Sequence, residues 1–521
     1  MTPRVGVSLW AWAACVGWAL LSVAAADLPP PERQYSILFL LPMSSTSHRN
    51  IFMSVAEALA ERGHNVTMLV NHAVESRNEN ITVVFHGLDD FRPEKVSMFR
   101  IRGDVREVSR IYSEKLVAAS KKLYKVPKVR KLYERRKDFD LIIVFHMMNE
   151  VVYPFVLGLP YITVTTLGVD FVQSATLGNV LNPAYASNFI LHFPHPLSFM
   201  HRCLNLLMHI ATACYWKRWS VTDIHREISA QFPGFPSMLE IERNQSLTLM
   251  NSHFSLDTPL PLLPGQVEIG GMHCRPGKPL PQELESWISG AGAAGVVYFS
   301  LGSTNQGTVL PRHYRDILLQ AFRRISQRVL WKNVEEVDDV PENVLVMKWV
   351  PQQDVLAHPN VKVFISHAGL LSTQEAAYHA TPVLALPIAA DQPRNADQIK
   401  KSGFGLALEW EEITVDLVLE TLRELIDNPR YRRSAAEVSR AMRDQLTSPK
   451  DRAVFWTEYV IRHRGAPRLR SPAVELSWVE FLMLDVLAAL LLVVCVAFVL
   501  LSCVARLVWR AVCARSKDKE D

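Results

Sequence analysis

The first part of the chain alternates short apolar runs with amphipathic stretches. An apolar run at 35–41 leads to a helical pattern at 50–62, and a second apolar run follows at 65–70. Two more apolar runs lie at 140–145 and 161–165. Strands that are apolar throughout and separated by amphipathic helices predict βαβ units in a doubly wound parallel sheet.

The same alternation returns after a proline- and glycine-rich segment at 259–281, which we interpret as a domain linker. The clearest part of this second half is the stretch 349–392. It predicts a strand at 362–366, a His-Ala-Gly turn, a helix at 370–379 and a further strand. Ligands of open parallel sheets bind outside the carboxyl ends of the strands, and a helix that starts there offers free backbone amides to a phosphate. The pattern therefore predicts a crevice for a nucleotide or another phosphorylated ligand.

The two ends of the chain predict targeting and membrane segments. Residues 1–26 contain one arginine, an apolar run and three final alanines, which is the layout of a cleavable signal peptide, although an uncleaved anchor is the alternative. Residues 486–505 are apolar and long enough to cross a bilayer, and basic residues follow them at 506–521. By the positive-inside rule we expect a single-pass type I membrane protein with a luminal body.

These patterns divide the chain into seven parts. We predict a signal peptide at 1–26, a first α/β domain at 27–258, a linker at 259–285, a second α/β domain at 286–464 whose last helix returns to the first domain, a juxtamembrane segment at 465–485, a transmembrane helix at 486–505 and a cytosolic tail at 506–521. Lys517 and Lys519 stand fifth and third from the end, which resembles a retrieval signal for the endoplasmic reticulum; a plain charged tail is the alternative.

Charge, cysteines and acceptor motifs add three expectations. A net charge of +4 over 521 residues argues against a dedicated nucleic-acid binder. The predicted body holds only Cys203, Cys214 and Cys274, so at most one disulfide is expected and no metal spacing is present. Three Asn-x-Ser/Thr motifs are glycosylation acceptors if their loops face the lumen, and they begin at Asn65, Asn80 and Asn244.

The stretch 349–392, together with Phe299-Ser300-Leu301-Gly302-Ser303, resembles the signature of the UDP-glycosyltransferase family. Its wording is closest to that of arthropod members. The resemblance implies an α/β fold of the GT-B type, with two Rossmann-like domains facing a cleft. It also implies hexosyl transfer from a UDP-sugar, glucose or glucuronic acid, to small lipophilic acceptors. The UDP-sugar is a co-substrate, and no metal or other cofactor is implied.

The resemblance gives the donor half a role at each polar position. Trp349 stacks on uracil and Gln352 hydrogen-bonds its edge. Glu375 accepts the ribose hydroxyls, and Asp391 and Gln392 hold the sugar. The remaining donor-binding residues, most of them around the diphosphate, are Ser300, Gly302, Ser303, His367, Gly369 and Ser372. Each residue also has a structural alternative: Trp349 as a core aromatic, for example, or the segment 372–375 as a helix capping box.

The acceptor half is expected to supply a base, because an attacking hydroxyl must lose its proton. The resemblance implies His48, in the loop 42–48, as general base for an inverting attack, and histidine suits that task near neutral pH. Where the family places an acid that orients this base, the chain has Phe145; Glu150 is the substitute that we predict.

Three alanines, Ala368, Ala380 and Ala390, also replace family glycines. The expected function is therefore an active transferase. The alternative is a catalytically weakened UDP-sugar-binding membrane protein that partners active relatives as a homo- or hetero-oligomer.

Overall fold

The computed structural model describes residues 28–73, 76, 78–88, 99, 102, 104–188, 193, 195–215, 221–302 and 310–517. The predicted signal peptide at 1–26, Ser303 and residues 518–521 of the tail lie outside the described residues. The described chain forms two parallel β-sheets, each with hydrophobic cores on both of its faces.

The first sheet has the strand order β3-β2-β1-β4-β5-β6-β7. Its strands are β1 Ser36–Leu41, β2 Asn65–Val70, β3 Ile81–Phe85, β4 Leu141–Phe145, β5 Tyr161–Thr165, β6 Thr248–Met250 and β7 Gln266–Glu268. The helices of this half are α1 Thr46–Glu61, α2 Val105–Lys122, α3 Pro127–Glu134, α4 Tyr153–Val156, α5 Phe171–Thr176, α6 Phe199–Tyr215, α7 Val221–Gln231 and α8 Met238–Arg243. Every residue of β4 is buried, because helices cover both faces of the sheet.

The second sheet repeats this plan with the order β10-β9-β8-β11-β12-β13. Its strands are β8 Val296–Ser300, β9 Arg328–Lys332, β10 Val344–Met347, β11 Val361–Ser366, β12 Val383–Ala385 and β13 Gly405–Ala407. The helices of this half are α9 Gln282–Ser289, α10 Arg312–Phe322, α11 Gln352–Leu356, α12 Leu370–Tyr378, α13 Gln392–Lys401, α14 Val415–Asp427, α15 Pro429–Arg443 and α16 Pro449–Arg462. The order of each sheet reverses between its first and fourth strands, and such a reversal opens a crevice at the carboxyl ends of the strands.

Three details of the sequence analysis need correction. His48 lies in the first turn of α1 and not in a loop, because Ser45 caps the helix and accepts a hydrogen bond from the His48 backbone amide. The predicted linker 259–285 contains β7, which pairs with β6 and extends the first sheet, and also the start of α9. A capping box at 372–375 is wrong, because the N-cap of α12 is Gly369.

The last helix of the second half, α16, packs against the first half. Its Ala453, Val454 and Val460 belong to the same core as Ile37 of β1. The Glu458 carboxylate lies 3.0 Å from His64 Nε2 and 3.0 Å from Arg62 Nε, both in the first half. The two halves are therefore joined by a core and an ion-paired network.

The chain continues into a short helix, α17 Trp478–Phe481, and a long apolar one, α18 Leu484–Lys517. In the described part of the chain, one helix, over Leu484–Ala511, is long and apolar enough to cross a membrane, and none of its most apolar window is buried. This stretch contains the predicted segment 486–505.

The predicted modification sites lie in the first half. Asn65 and Asn244 are exposed, at the start of β2 and at the end of α8, and Asn80 is half-buried with its amide bonded to Ala60 O. Cys203, Cys214 and Cys274 are all free thiols. The glycosylation sites remain predictions.

Candidate functional site

The carboxyl ends of β8 and β11 bring together the residues predicted for a diphosphate. The His367 ring fills the space between Gly302 and Gly369: a Cβ on Gly302 would lie 2.6 Å from His367 Cε1, and a Cβ on Gly369 would lie 2.5 Å from His367 Nε2. Only glycine fits at these two positions with the ring in this place. The two glycines thus leave space for the His367 imidazole at the carboxyl ends of β8 and β11.

His367 is buried and neutral. Burial, together with the charge of Lys332, lowers its pKa to about 4. Across the described residues its Nδ1 atom is buried without a hydrogen-bond partner. A buried neutral imidazole with an unused nitrogen is suited to bind a polar ligand atom, since leaving that nitrogen unsatisfied is costly.

Beside His367, helix α12 begins at Gly369 without a side-chain cap. The free amides and the partial positive charge of this helix end point towards the same crevice. The backbone of Leu370 opposes the rise in the pKa of Asp391, so the loop before α13 lies beside this helix end. The crevice is therefore suited to an anionic group held mainly by backbone amides.

Gln352 and Glu375 form a hydrogen-bonded network at the far side of this crevice. Gln352 Nε2 donates to Glu375 Oε2 at 2.5 Å and to Ser372 Oγ at 3.2 Å. Gln352 Oε1 accepts a hydrogen bond from the Tyr298 hydroxyl at 3.1 Å. Burial raises the pKa of Glu375 to about 7, although the Gln352 hydrogen bond and the charge of Lys332 oppose the shift. A buried carboxyl group with so strongly raised a pKa is a candidate functional residue.

Trp349 stands at the edge of the same network with 63% of its surface exposed, so the interpretation as a core aromatic is wrong. Lys332 Nζ lies 4.7 Å from the centre of its ring. A large exposed indole that is held by a cation offers a stacking surface for a planar ligand.

Asp391 and Gln392 are both buried at the start of α13, where the sequence predicted the sugar site. Burial raises the pKa of Asp391, although its oxygen accepts a hydrogen bond from Asn395 Nδ2 at 2.6 Å. Gln392 Oε1 accepts from the amides of Ile388 and Ala389 at 2.7 and 3.0 Å. The side-chain oxygen of Gln392 therefore stabilises the loop before α13, and its side-chain N–H groups remain as donors for a ligand.

The alanines at 368, 380 and 390 all have positive φ angles, of 60°, 57° and 61°. Glycine adopts this left-handed region freely, whereas alanine pays about 1–2 kcal/mol for it. The three replacements thus leave the backbone in the conformation that glycine would take. The backbone at these alanines is therefore strained. The methyl group of Ala390 is exposed on the surface.

Across the cleft, the His48 ring lies against the Phe145 ring with their centres 5.1 Å apart. Phe145 also makes an edge contact with Phe52 and so joins the core beneath α1. The residue at the position of the expected acid therefore touches the base candidate through an apolar face. Glu150 is buried one turn beyond β4, and its charge acts on His146 and Tyr153.

Sequence reasoning missed several residues of the donor crevice. Lys332 ends β9 and Tyr298 lies in β8, and both touch residues that were predicted. His273 lies in the predicted linker, with its Nε2 atom 3.8 Å from Glu375 Oε1 and 3.2 Å from Leu371 O. The sequence offered one indication of this residue: His273 and Arg275 are polar residues inside a proline-rich segment.

The chain matches one family model, described as UDP-glucoronosyl and UDP-glucosyl transferase, over residues 36–518. It is 34% identical over 499 residues to the UDP-glycosyltransferase UGT5 of Dactylopius coccus, covering 92% of this chain and 93% of that protein. It is 32% identical to the UDP-glucuronosyltransferase 2B19 of Macaca fascicularis, covering 78% of this chain and 76% of that protein.

Solved structures share the fold at low sequence identity. The glycotransferase of kitacinnamycin superposes with a TM-score of 0.57 at 19% identity, covering 82% of this chain and 99% of that one. The calicheamicin glycosyltransferase CalG4 superposes with a TM-score of 0.56 at 18% identity, covering 84% of this chain and all of that one. Both are glycosyltransferases, and the shared architecture is the two-sheet GT-B fold.

Proposed function

Because the chain belongs to the family of UDP-glucuronosyl and UDP-glucosyl transferases, we propose that it transfers a hexosyl group from a UDP-sugar to a hydroxyl of small lipophilic acceptors, with inversion at the anomeric carbon. The observation that carries the proposal is the Gln352–Glu375–Ser372 network, which lies beside His367 and the exposed Trp349. This arrangement offers a stacking surface, a diol acceptor and a phosphate-binding helix end in the order in which UDP presents its parts.

Each part of the network has a separate task in this proposal. Trp349 stacks on uracil, a contact worth about 1–3 kcal/mol. Glu375 is ionised when the two ribose hydroxyls donate to it, and that gain offsets the cost of burying the charge. His367, the amides at the start of α12, and Gly302 contact the diphosphate. Ser300 supports this turn, since its hydroxyl accepts a hydrogen bond from the Gly302 amide at 3.3 Å.

The cations nearest the predicted sugar site favour a neutral hexose, glucose, over glucuronic acid. Arg394 follows Asp391 and Gln392 closely in sequence, yet its Nη2 lies 2.9 Å from Asp257 Oδ1 and the pair is largely buried. A guanidinium that is already paired has little net charge to offer a sugar carboxylate. Asp391 adds a negative charge that suits hydroxyl groups better than a second carboxylate.

His48 is the proposed general base for the acceptor. It takes the hydroxyl proton while the oxygen attacks the anomeric carbon and UDP leaves from the opposite face with the bonding electron pair. Ser44, Ser45 and Ser47 are small and leave room for an acceptor beside the ring. General-base catalysis of this kind contributes about 10²–10⁴-fold.

The test is a transfer assay on membranes that carry the full chain, with UDP-glucose and UDP-glucuronic acid as donors and a panel of phenols and alcohols as acceptors. Wild-type protein forms a β-configured glucoside with UDP-glucose. Asp391→Asn and His48→Ala lower the rate by at least tenfold, whereas Glu437→Gln on the exposed face of α15 leaves it unchanged. Full activity in His48→Ala would contradict the assignment of the base.

A second candidate is a protein that binds the UDP-sugar but has weak catalysis and partners active relatives. The contact between Phe145 and His48 favours it, since an apolar ring stands at the place of the expected acid. UDP-glucose binding without product from any acceptor, followed by recovery of activity on co-expression with an active relative, would support this candidate.

We propose that the body is luminal and that α18 anchors it in the endoplasmic reticulum membrane. The support is the apolar helix over Leu484–Ala511 and the basic tail beyond it. Glycans on Asn65, Asn80 or Asn244, removed by an endoglycosidase only after the membrane is permeabilised, would show the orientation. Protease digestion of the body in sealed microsomes would contradict it.

A further inference from the structure

A second histidine, His146, follows β4 and is paired with Asp170. Its Nε2 lies 3.5 Å from Asp170 Oδ1, and the two side chains are 22% and 14% exposed. The His146 backbone amide donates to Val164 O at 3.1 Å, which holds the histidine against β5. Asp170 caps α5 and accepts a hydrogen bond from the Gln173 amide at 2.6 Å. The backbone of His146 and the carboxylate of Asp170 are therefore both held in place before any ligand arrives.

The pair lines a small cavity between the two halves of the molecule. Most of its wall comes from the loops after β4 and β5, and the second half contributes Arg394. Arg394 stands three positions after Asp391, the proposed sugar residue. The cavity thus lies at the carboxyl ends of the first sheet and beside the donor loop, where an acceptor hydroxyl would meet the sugar.

We propose that His146, oriented by Asp170, is a second general base of this cleft and takes a proton from the acceptor hydroxyl. The proposal rests on the proposed glycosyl transfer. The acceptor oxygen forms a bond to the anomeric carbon, the bond from that carbon to the UDP oxygen breaks, and UDP leaves with the electron pair. In this step the hydroxyl proton moves to His146 instead of His48 and is later released to water.

The hydrogen-bond chemistry favours this role. The Asp170 carboxylate, 3.5 Å from His146 Nε2, favours the tautomer that carries its proton on Nε2, which leaves the lone pair of Nδ1 for the substrate proton. A carboxylate in this position also stabilises the imidazolium that forms during the reaction. Phe145 and His146 are adjacent in the chain, so the residue that gives an apolar contact to His48 is followed directly by one with a carboxylate partner.

The charges around His146 agree with a base that is ready to accept a proton. Burial lowers its pKa, but the hydrogen bond and charge of Asp170 outweigh burial and leave the pKa raised. Glu242 and Glu150 act in the same direction, and Arg394 on the opposite wall of the cavity is paired with Asp257. The acid limb of the kcat profile at saturating UDP-glucose therefore includes the titration of this group.

The test compares purified full-length protein in detergent as wild type, Asp170→Asn, His146→Gln, His48→Ala and the double variant His48→Ala/His146→Gln. Asparagine still caps α5 and removes only the charge. His225→Gln on α7 is the matched control, because His225 is also half-buried and hydrogen-bonded, to Pro236 O. The readouts are kcat, the KM for UDP-glucose, the pH profile and Tm.

We expect Asp170→Asn and His146→Gln to lower kcat about tenfold or more, less than the full range for a general base because His48 remains. The KM for UDP-glucose stays unchanged, and the acid limb of Asp170→Asn moves to lower pH. His48→Ala keeps a residual rate that the double variant loses. An active wild type whose kcat and pH profile are unaffected by Asp170→Asn and His146→Gln would overturn this inference alone. A wild type without transfer to any acceptor would overturn the proposed function as well.

Discussion

The two halves of this molecule share one architecture but build their sites differently. Most of the donor crevice comes from a single stretch, 349–392, in which each predicted residue stands at a strand end or in the first turns of a helix. The acceptor side draws on α1, the end of β4, the loop after β5 and a helix from the far end of the chain. A site that is local in sequence can be recognised from sequence, whereas one assembled from distant segments can be recognised only after folding.

The largest effect is expected where the second half stabilises the first. His64 is fully buried, and its partner Glu458 is 394 residues away in sequence. The pKa of Glu458 is lowered, because its bonds to His64 and Arg62 outweigh the opposing effect of burial. Glu458→Ala leaves three basic groups, His64, Arg62 and Arg462, without their carboxylate, and removal of one partner of a buried pair costs about 3–5 kcal/mol.

Thermal unfolding of the detergent-solubilised protein measures this loss. Glu424→Ala is the control, because Glu424 pairs with Arg430 on the surface, where such pairs contribute about 0–1 kcal/mol. Since the lowered pKa of Glu458 contributes stability above its unfolded pKa, that contribution disappears as the pH falls through the folded value. Equal losses of Tm in the two variants would show that the first half does not depend on α16.

The next effect tests the donor network itself. Glu375→Gln should weaken UDP-glucose binding about 10- to 100-fold, because hydrogen bonds to a charged group contribute about 1.5–3 kcal/mol. The pKa of Glu375 is raised to about 7 by burial, and the ribose hydroxyls bind its ionised form. Wild-type affinity should therefore fall as the pH drops below about 7 and level off above it.

Isothermal titration with UDP-glucose between pH 5.5 and 8.5, pH values chosen to bracket about 7, checks both statements. The Glu375→Gln curve should be flat over this range, since the pKa of His367, at about 4, lies outside it. Glu437→Gln should reproduce the wild-type curve. A wild-type affinity that does not change with pH would remove Glu375 from the ribose site.

Most of the fold was predictable, because strands buried on both faces give uninterrupted apolar runs; β5 has the predicted bounds. The capping of α1 by Ser45, which brings His48 into the helix, depends on one side-chain hydrogen bond that the apolar pattern does not show. The strand β7 was missed because three paired residues lie among prolines. The His146–Asp170 pair was missed because its members belong to different loops and meet only when β4 and β5 pair.

A smaller effect separates the base-stacking surface from the core. Trp349→Ala should weaken UDP-glucose binding by about 1–3 kcal/mol, the usual value for one stacked base. Its stability should change by less than about 0.5 kcal/mol, because the side chain is largely exposed. Trp478→Ala, with 58% of the residue exposed outside both sheets, is the control and should bind normally. The affinities of the two variants for UDP-glucose are compared by titration, after their Tm values have been shown to be equal. Equal affinities would exclude stacking on Trp349.

The smallest effect concerns the strained alanines of the donor half. Ala390 has a φ of 61° and an exposed methyl group, so Ala390→Gly should relieve the left-handed strain without loss of packing. The greater freedom of glycine in the unfolded chain offsets part of this gain, and a net stabilisation of about 0.5 kcal/mol is expected. Ala368 has nearly the same φ of 60° but is fully buried, so Ala368→Gly also loses apolar contact worth about 0.8 kcal/mol and should be close to neutral.

Ala357 supplies the opposite control, because it is exposed with a φ of −73°. Ala357→Gly relieves no strain and should destabilise the protein by about 0.5–1 kcal/mol. The same Ala→Gly change should therefore stabilise the protein at 390, leave its stability nearly unchanged at 368 and destabilise it at 357. Denaturant unfolding of the three variants measures these changes in the free energy of unfolding. If Ala390→Gly were as destabilising as Ala357→Gly, the loop before α13 would not hold its left-handed conformation in solution, and the sugar side of the donor crevice would be less preorganised than its diphosphate side.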